Sequence, residues 1–493
     1  MNLILSPPSI TPPPSRHSIC TVRSQSSPNQ TPIPTVPSPS LPPSPSAPTP
    51  PSAIIIGGGL SGLSAAVHLH SSSVPFLLLE SSDDIGGRDR TDIVDGFVLD
   101  RGFQIFITAY PHARRLLDYQ SLSLNNFYSG ALVYCPDRRF HLVSDPLRHL
   151  PDALSGLFNP VGTLSDKLLV GLTRLRSLLT SDDDILTAEE VPVLDLLRRS
   201  GFSESMIDRF FRPFFGGIFF DTDLETTSRL FNFIFKCLAS GDNAVPSEGI
   251  AAIPRQLAGR LPAGSVRLNS RVESIEVDPF GSPVVRLEGG DAFEAELGLI
   301  LAVEEFEAER LLKIPSRVGK ERRPARGTVC VYGGANRDTR VYFAADRAPV
   351  SDPVLILNGS GRGIMNNMCF MTNVAPSYGP PGKVLVSVTV VGAREGTSDE
   401  DLTTEIVGEL SGWFGKGEVR EWRHLRTYRI GFAQPDQSPP TDLMGRDPKV
   451  GSRVYVCGDY WSSATFDGAL VSGTRAAKAL VEDRVLLKDL KSS

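Results

Sequence analysis

The chain has 493 residues, with 50 lysines and arginines against 56 aspartates and glutamates and a net charge of −6, which gives no electrostatic footprint for nucleic acid. Its six cysteines are scattered with neither C-x-x-C nor Cys/His ligand spacing, so a disulfide framework and a zinc site are both unsupported. The seven histidines form no metal-binding pair beside carboxylates, and no run of about eighteen apolar residues is present to span a membrane.

Residues 1–51 are dominated by proline, serine and threonine, hold Arg16 and Arg23, and contain no acid; the first in the chain is Glu80. Such a segment cannot bury a core. Its serine-rich, acid-free character matches an organelle transit peptide and favours a plastid over a mitochondrion, while Leu3 to Leu5 is too short an apolar run for a secretory signal. The remainder of the chain is long enough for two substantial domains or one two-lobed unit.

The first predicted strand, Ile54 to Ile56, runs into Gly57-Gly58-Gly59-Leu60-Ser61-Gly62 and then a helix of small residues. In this G-x-G-x-x-G, Gly57 permits the tight turn, Gly59 lets the backbone approach a pyrophosphate, and Gly62 lets the helix pack close to the sheet, with Leu60 and Ser61 opening the helix toward the phosphates. A second apolar strand, Phe76 to Leu79, ends in Glu80, about twenty residues on, where an acid accepts hydrogen bonds from ribose hydroxyls. Glu80 would face a 2′-phosphate as a second anion, so FAD or NAD fits better than NADP.

Gly86-Gly87-Arg88-Asp89-Arg90-Thr91 comes next, and near the C-terminus Val454 to Val456 reads as a strand leading to Gly458-Asp459, then Asp467-Gly468-Ala469-Leu470 opening a helix. With these motifs the chain resembles the flavin amine oxidase and carotenoid desaturase superfamily, whose cofactor domain carries G-G-R-x-x-T after the ribose acid. The resemblance implies FAD, with Gly87 against the pyrophosphate and Arg88 offering its donors to the phosphates. It places Asp459, after Gly458, near the ribityl and phosphate groups, and aims the helix start at Gly468, Ala469 and Leu470 toward the flavin pyrimidine edge. It also matches Val272 to a position whose backbone contacts the adenine.

The implied fold is α/β. A Rossmann-like FAD-binding domain of the glutathione reductase type is assembled from residues 52–105, 241–305 and 441–485, with a tail at 486–493. An α+β substrate domain is interleaved with it, helical over 106–240 and a sheet over 306–440. Val266 to Val277 alternates as one strand, Pro283 to Leu287 makes another, and Gly298 to Val303 is a buried parallel strand.

Within the substrate half, Phe202 to Phe235 is dense in phenylalanine and reads either as a thick core or as the wall of a long lipophilic tunnel. Leu150 to Leu179 mixes leucines with Lys167, Arg174 and Arg176, a pattern that docks on a membrane face or packs against a neighbouring lobe. Strands are predicted at Thr328–Tyr332, Val354–Leu357 and Val384–Val391, with Phe370, Tyr378, Tyr428 and Phe432 as aromatic candidates for the cavity lining. Tyr460-Trp461 either sits at the flavin face or caps the strand end.

A flavin accepts a hydride at N5, so the protein must hold a C–H bond there and exclude water. Amine oxidases of the superfamily usually keep a lysine near N5, and the matching stretch Arg326 to Tyr332 has none. Asp100-Arg101-Gly102-Phe103-Gln104 also looks more like the desaturase side. The expectation is therefore an FAD-dependent plastid oxidoreductase that dehydrogenates or isomerises a lipophilic substrate, with quinone or oxygen as electron acceptor and a peripheral lipid association. The alternatives are a flavin amine oxidase, a protoporphyrinogen-oxidase-like enzyme, and a non-catalytic flavoprotein scaffold. No catalytic side chain and no metal site is assigned.

Overall fold

The computed structural model describes residues 52–102, 105–277, 281–313, 335–392, 394, 396–443 and 446–492. The transit-peptide segment 1–51, Phe103 and Gln104, and the strand expected at Thr328–Tyr332 lie outside them.

Strand Ala53–Ile56 (β1) is buried along its whole length, as a parallel strand covered on both faces must be. It leads into helix Leu60–Ser71 (α1) and returns as strand Phe76–Leu79 (β2), paired parallel with Ala53 opposite Phe76 and Ile56 opposite Leu79. Distant segments complete the sheet in the order Val266–Arg267, β2, β1, Gly298–Leu301, Val454–Val456, Lys449–Gly451, parallel except for the last strand. One Rossmann-like sheet is thus drawn from three widely separated stretches.

The run expected as a single strand from Val266 to Val277 is two elements. Val266–Arg267 joins the parallel sheet, whereas Val272–Val277 begins a separate three-stranded antiparallel sheet with Pro283–Leu287 and Ala292–Glu294. The break falls at Asn269, whose φ is 50°, and the amides of Asn269 and Ser270 donate to the carbonyls of Ser82 and Glu80. Side-chain alternation continues across this turn, so the pattern alone concealed it.

The C-terminal helix Phe466–Ser492 lies against α1. Ser64 Oγ donates to the Leu470 carbonyl at 2.7 Å, and a Cβ on Gly473 would stand only 1.9 Å from the Ser61 carbonyl oxygen. The small residues on both helices are what allow the contact.

The second lobe is built on a seven-stranded sheet in the order Arg423–Pro435, Ala335–Ala345, Val384–Val391, Asn367–Phe370, Leu355–Asn358, Gly130–Tyr134, Phe140–Ser144. Its outer face, with Val341, Phe343, Val386, Val388 and Phe370, packs on Leu402, Ile406 and Leu410, one face of helix Asp399–Phe414. The stretch expected to be helical therefore also supplies two strands, Gly130–Tyr134 and Phe140–Ser144. Each is five residues long, too short for periodicity to reveal.

Most of the phenylalanine block is core. Phe202, Phe211, Phe215, Phe219, Phe231 and Phe233 are buried, with ring centroids 4.5 Å apart for Phe215 and Phe231 and 4.9 Å for Phe202 and Phe211. Helix Leu164–Leu179 keeps Leu164, Leu168, Leu172, Leu175 and Leu179 exposed, so these leucines do not pack on a neighbouring lobe.

Candidate cofactor and substrate cavity

At the end of β1 the chain turns through Gly57, whose φ of +105° favours glycine and where a Cβ would lie 2.3 Å from the Ala302 carbonyl oxygen. A Cβ on Gly62 would meet the Gly57 carbonyl oxygen at 1.9 Å. A Cβ on Gly59 would meet nothing within 4 Å. The first and third glycines are fixed by protein packing, while the second opens onto unfilled space where a ligand backbone can come close.

Glu80, at the end of β2, is buried and accepts from the Gly58 amide at 2.6 Å through Oε2, and from the amide and hydroxyl of Ser82 at 2.8 and 2.7 Å through Oε1. It thereby ties the glycine turn to the next loop. That loop carries Gly86 and Gly87, both at positive φ, with Gly86 bridged to Gly59 and the Cβ position of Gly87 only 3.3 Å from the Gly59 Cα.

Arg88 then reaches across the molecule. Its Nη2 is 2.7 Å from Asp459 Oδ2, its Nη1 donates to the Ala433 carbonyl at 2.8 Å, and its guanidinium stands 5.3 Å from the Phe432 ring centroid. Burial opposes the Arg88 charge most strongly, but Asp459, Glu304 and Asp89 together outweigh it and hold the guanidinium above its ordinary pKa. Burial raises Glu304 against the opposing pull of Arg88, and lifts the Asp89 carboxyl to about 7, Arg88 opposing and Asp459 and Asp100 adding.

These elements enclose a cavity of about 660 Å³. Gly57, Gly59, Leu60, Ser61, Glu80, Gly87, Arg88, Val272, Gly458, Asp459 and Ala469 all border it. Gly62, Gly468 and Leu470 stand behind the wall: a Cβ on Gly468 would lie 2.1 Å from the Ser463 carbonyl oxygen, and Leu470 is core. The open face of Gly59 and the continuity of the cavity from the β1 turn to Ala469 fit a dinucleotide lying along the sheet edge.

Beyond the cradle the cavity continues between Ile105, Ile107, Phe214, Ile218, Phe220, Ile234, Leu238 and Leu355. From the phenylalanine block, Phe214 and Phe220 alone border it, and the buried remainder of the block serves as core.

Phe370, Tyr378, Tyr428 and Phe432 do not border it. Phe370 belongs to the outer face of the sheet, Tyr378 donates to Asp100 Oδ2 at 2.8 Å, Tyr428 donates to Asp92 Oδ2 at 2.7 Å, and Phe432 lies under Arg88. Tyr460 and Trp461 also lie off the cavity: Tyr460 is buried with Val454 and Val456, and Trp461 Nε1 donates to the Asp447 carbonyl, with Arg446 5.2 Å from its ring centroid. They cap the strand end.

Glu304, Asp338, Asn367 and Gln434 border the cavity without having been singled out from the sequence. Glu304 carried a signal, since it comes after the buried strand Gly298–Leu301 at its C-terminal end, where open α/β sheets bind ligands. Asp338 and Asn367 are set by sheet register, which no local motif announces.

The sequence profile described as flavin containing amine oxidoreductase matches residues 60–481. The chain belongs to that family. It is an FAD-dependent oxidoreductase. The 15-cis-phytoene desaturase, chloroplastic/chromoplastic, of Capsicum annuum is 24% identical to it, covering 88% of this chain and 78% of the relative. The probable polyamine oxidase 4 of Arabidopsis thaliana is 27% identical over 51% of this chain and 50% of the relative. The solved structure of cyclohexylamine oxidase from Brevibacterium oxydans IH-35A superposes with a TM-score of 0.60 at 17% identity, covering 88% of this chain and 99% of that one, a likeness of fold.

Proposed function

We propose that the protein dehydrogenates or isomerises a lipophilic substrate in the manner of a carotenoid desaturase, with quinone or oxygen as terminal acceptor. The observation that carries this reading is the apolar end of the cavity, from Ile105 to Leu355. Gly59, Glu80, Arg88, Val272, Asp459 and Ala469 are the residues proposed to hold FAD. FAD, when bound, supplies the hydride acceptor. The isoleucine, leucine and phenylalanine walls exclude water and hold a C–H bond in place; in dehydrogenation, a hydride and a proton leave adjacent carbons and a double bond remains. Anaerobic mixing of the holoprotein with phytoene and, separately, with a polyamine tests the reading: bleaching of the flavin by phytoene supports it, and bleaching by the polyamine alone makes the protein an amine oxidase.

We infer further that the protein docks on an anionic lipid surface through Leu147 to Leu179, and that residues 1–51 direct it to a plastid. Among the described residues, Ile93, Phe306 and Val485 are the large exposed apolar side chains that fall outside this stretch. On helix Leu164–Leu179 the exposed leucines recur at helical spacing along one face, the single acid, Asp166, is buried in a capping box with Thr163, and of the basic residues Lys167 donates to the Gly156 carbonyl and Arg174 pairs with Asp145, while Arg176 is exposed. No helix among the described residues is long and apolar enough to cross a membrane.

A further inference from the structure

Three carboxyl groups share the charge of Arg88 beside the first glycine turn. Asp459 pairs with it at 2.7 Å, Asp89 follows it in the same loop, and Glu304 stands two residues past Ala302, whose carbonyl oxygen packs against Gly57. All four charged residues border the cavity. The side chains of Asp89 and Glu304 have no hydrogen-bond or ion-pair partner among the described residues. The charges that act on Asp89 are Arg88, Asp459 and Asp100, and those that act on Glu304 are Arg88, Asp459 and Glu307. The other arginines at the cavity have carboxylates of their own: Arg90 with Asp83 at 2.8 Å, Arg101 with Asp92 at 2.8 Å and Arg271 with Glu288 at 3.5 Å.

Fully ionised, this cluster sets three negative charges against one positive charge, next to the turn that lets a pyrophosphate approach. A carboxylic acid that keeps its proton is neutral and donates an O–H, which suits a phosphate oxygen. Building on the cofactor-cradle reading above, we propose that Asp89 and Glu304 receive FAD as neutral acids, so that binding draws protons from solution and FAD affinity falls as pH rises. Burial lifts Asp89 to about 7, Arg88 opposing and Asp459 and Asp100 adding, and burial also raises Glu304. The negative charge of a pyrophosphate raises both further. Below that value Asp89 already holds its proton when the cofactor arrives; above it, the carboxylate must take one up, and the cofactor binds less tightly. Because both carboxyls interact with Arg88 and Asp459, they titrate as a coupled set.

The test titrates the flavin-free full chain with FAD across a pH series, and repeats the titration calorimetrically at pH 8 in two buffers of different ionisation enthalpy to count protons. Wild-type affinity is expected to fall by at least about tenfold from pH 6.5 to pH 8.5, with uptake of about one proton per FAD at pH 8. The double variant Asp89→Asn, Glu304→Gln keeps both shapes without a titrating group. It is expected to bind FAD with nearly the same affinity across the series and to take up no proton. The single variants are expected to lie between, with Asp89→Asn removing the larger share of the slope near pH 7. Wild-type affinity that stays flat, with no proton uptake, overturns the proposal while leaving the cradle reading standing. A full slope retained in the double variant overturns the assignment to these two carboxyls. Failure of the wild type to bind FAD at any pH overturns the cradle reading and the proposal together.

Discussion

Arg88 and Asp459 meet at 2.7 Å although 371 residues separate them in the chain, so the glycine-arginine loop and the C-terminal glycine-aspartate turn are one structural unit. The ion pair borders the cavity between the two halves of the proposed cofactor cradle, and the other end of the guanidinium is held by the Ala433 carbonyl in the second lobe. Arg88 therefore joins three parts of the chain around the proposed phosphate position.

Arg88→Ala and Asp459→Asn are each expected to weaken FAD binding by tenfold or more, about 1.4 kcal/mol, because each leaves the other charge without its partner at the cavity wall. The two losses should not add: a double-mutant cycle is expected to return a coupling of about 0.5–3 kcal/mol. Fluorescence titration of the flavin-free variants measures both quantities. Additive losses would mean that the two side chains act separately.

The glycines of the first turn are expected to separate cofactor binding from folding. Gly59→Val is expected to abolish flavin uptake with a melting temperature close to wild type, since a Cβ there meets no protein atom within 4 Å and Gly59 borders the cavity. Gly62→Ala should instead destabilise the fold by about 1–3 kcal/mol, because its Cβ collides with the Gly57 carbonyl oxygen. Loss of colour in Gly59→Val accompanied by unfolding would assign that glycine to packing as well.

The cradle was legible because local motifs carry it: the β1 turn, the acid at Glu80 and the Gly87-Arg88 pair each succeed a recognisable strand or loop. Leu470 and Gly468 belong to the same helix start, yet their side-chain positions face protein, which a motif does not distinguish from facing ligand. The substrate end was far less legible. Asp338 reaches the cavity because Ala335–Ala345 pairs in one particular register with Val384–Val391, and a shift of one residue would put Thr339 there instead. Tyr378 looked like a lining residue, but its hydroxyl is used to hold Asp100, a buried carboxylate that also accepts from Thr91 and the Ile250 amide.

Two neighbouring phenylalanines divide core from wall. Phe215 is 1% exposed and packs against Phe211, Phe219 and Phe231, so Phe215→Ala is expected to cost about 3–5 kcal/mol in a denaturant titration. Phe214 borders the cavity, and Phe214→Ala should lower stability by much less while reducing flavin reduction by the lipophilic substrate. Equal destabilisation by the two would make Phe214 a core residue.

Asp89 gives the fold a pH dependence. Burial lifts its carboxyl to about 7 in the folded protein, whereas the unfolded chain releases the proton near 3.8. The contribution of this group is complete below that lower value and is lost as pH rises toward about 7. Thermal melts of the flavin-free protein across this range should show Asp89→Asn losing less stability with rising pH than wild type, since the amide does not titrate. Glu304, also raised by burial, leaves part of the slope in the variant. Identical slopes would place the Asp89 proton elsewhere.

Lipid docking has a direct physical test in the leucine face. Leu168, Leu172 and Leu175 are 67%, 62% and 56% exposed, and each would transfer apolar surface from water to the acyl boundary on docking. Full burial of a leucine side chain is worth about 1.5–3 kcal/mol, so even partial burial of three contributes a few kcal/mol in total. Replacing all three with glutamate removes that term and adds three charges that anionic lipid repels. The triple variant is expected to lose co-flotation with anionic vesicles by about a hundredfold or more in partition coefficient, while its flavin content and melting temperature stay near wild type because these side chains touch solvent in the free protein. Wild-type protein that fails to float with the vesicles, or a triple variant that floats as well as wild type, removes this face as the lipid contact.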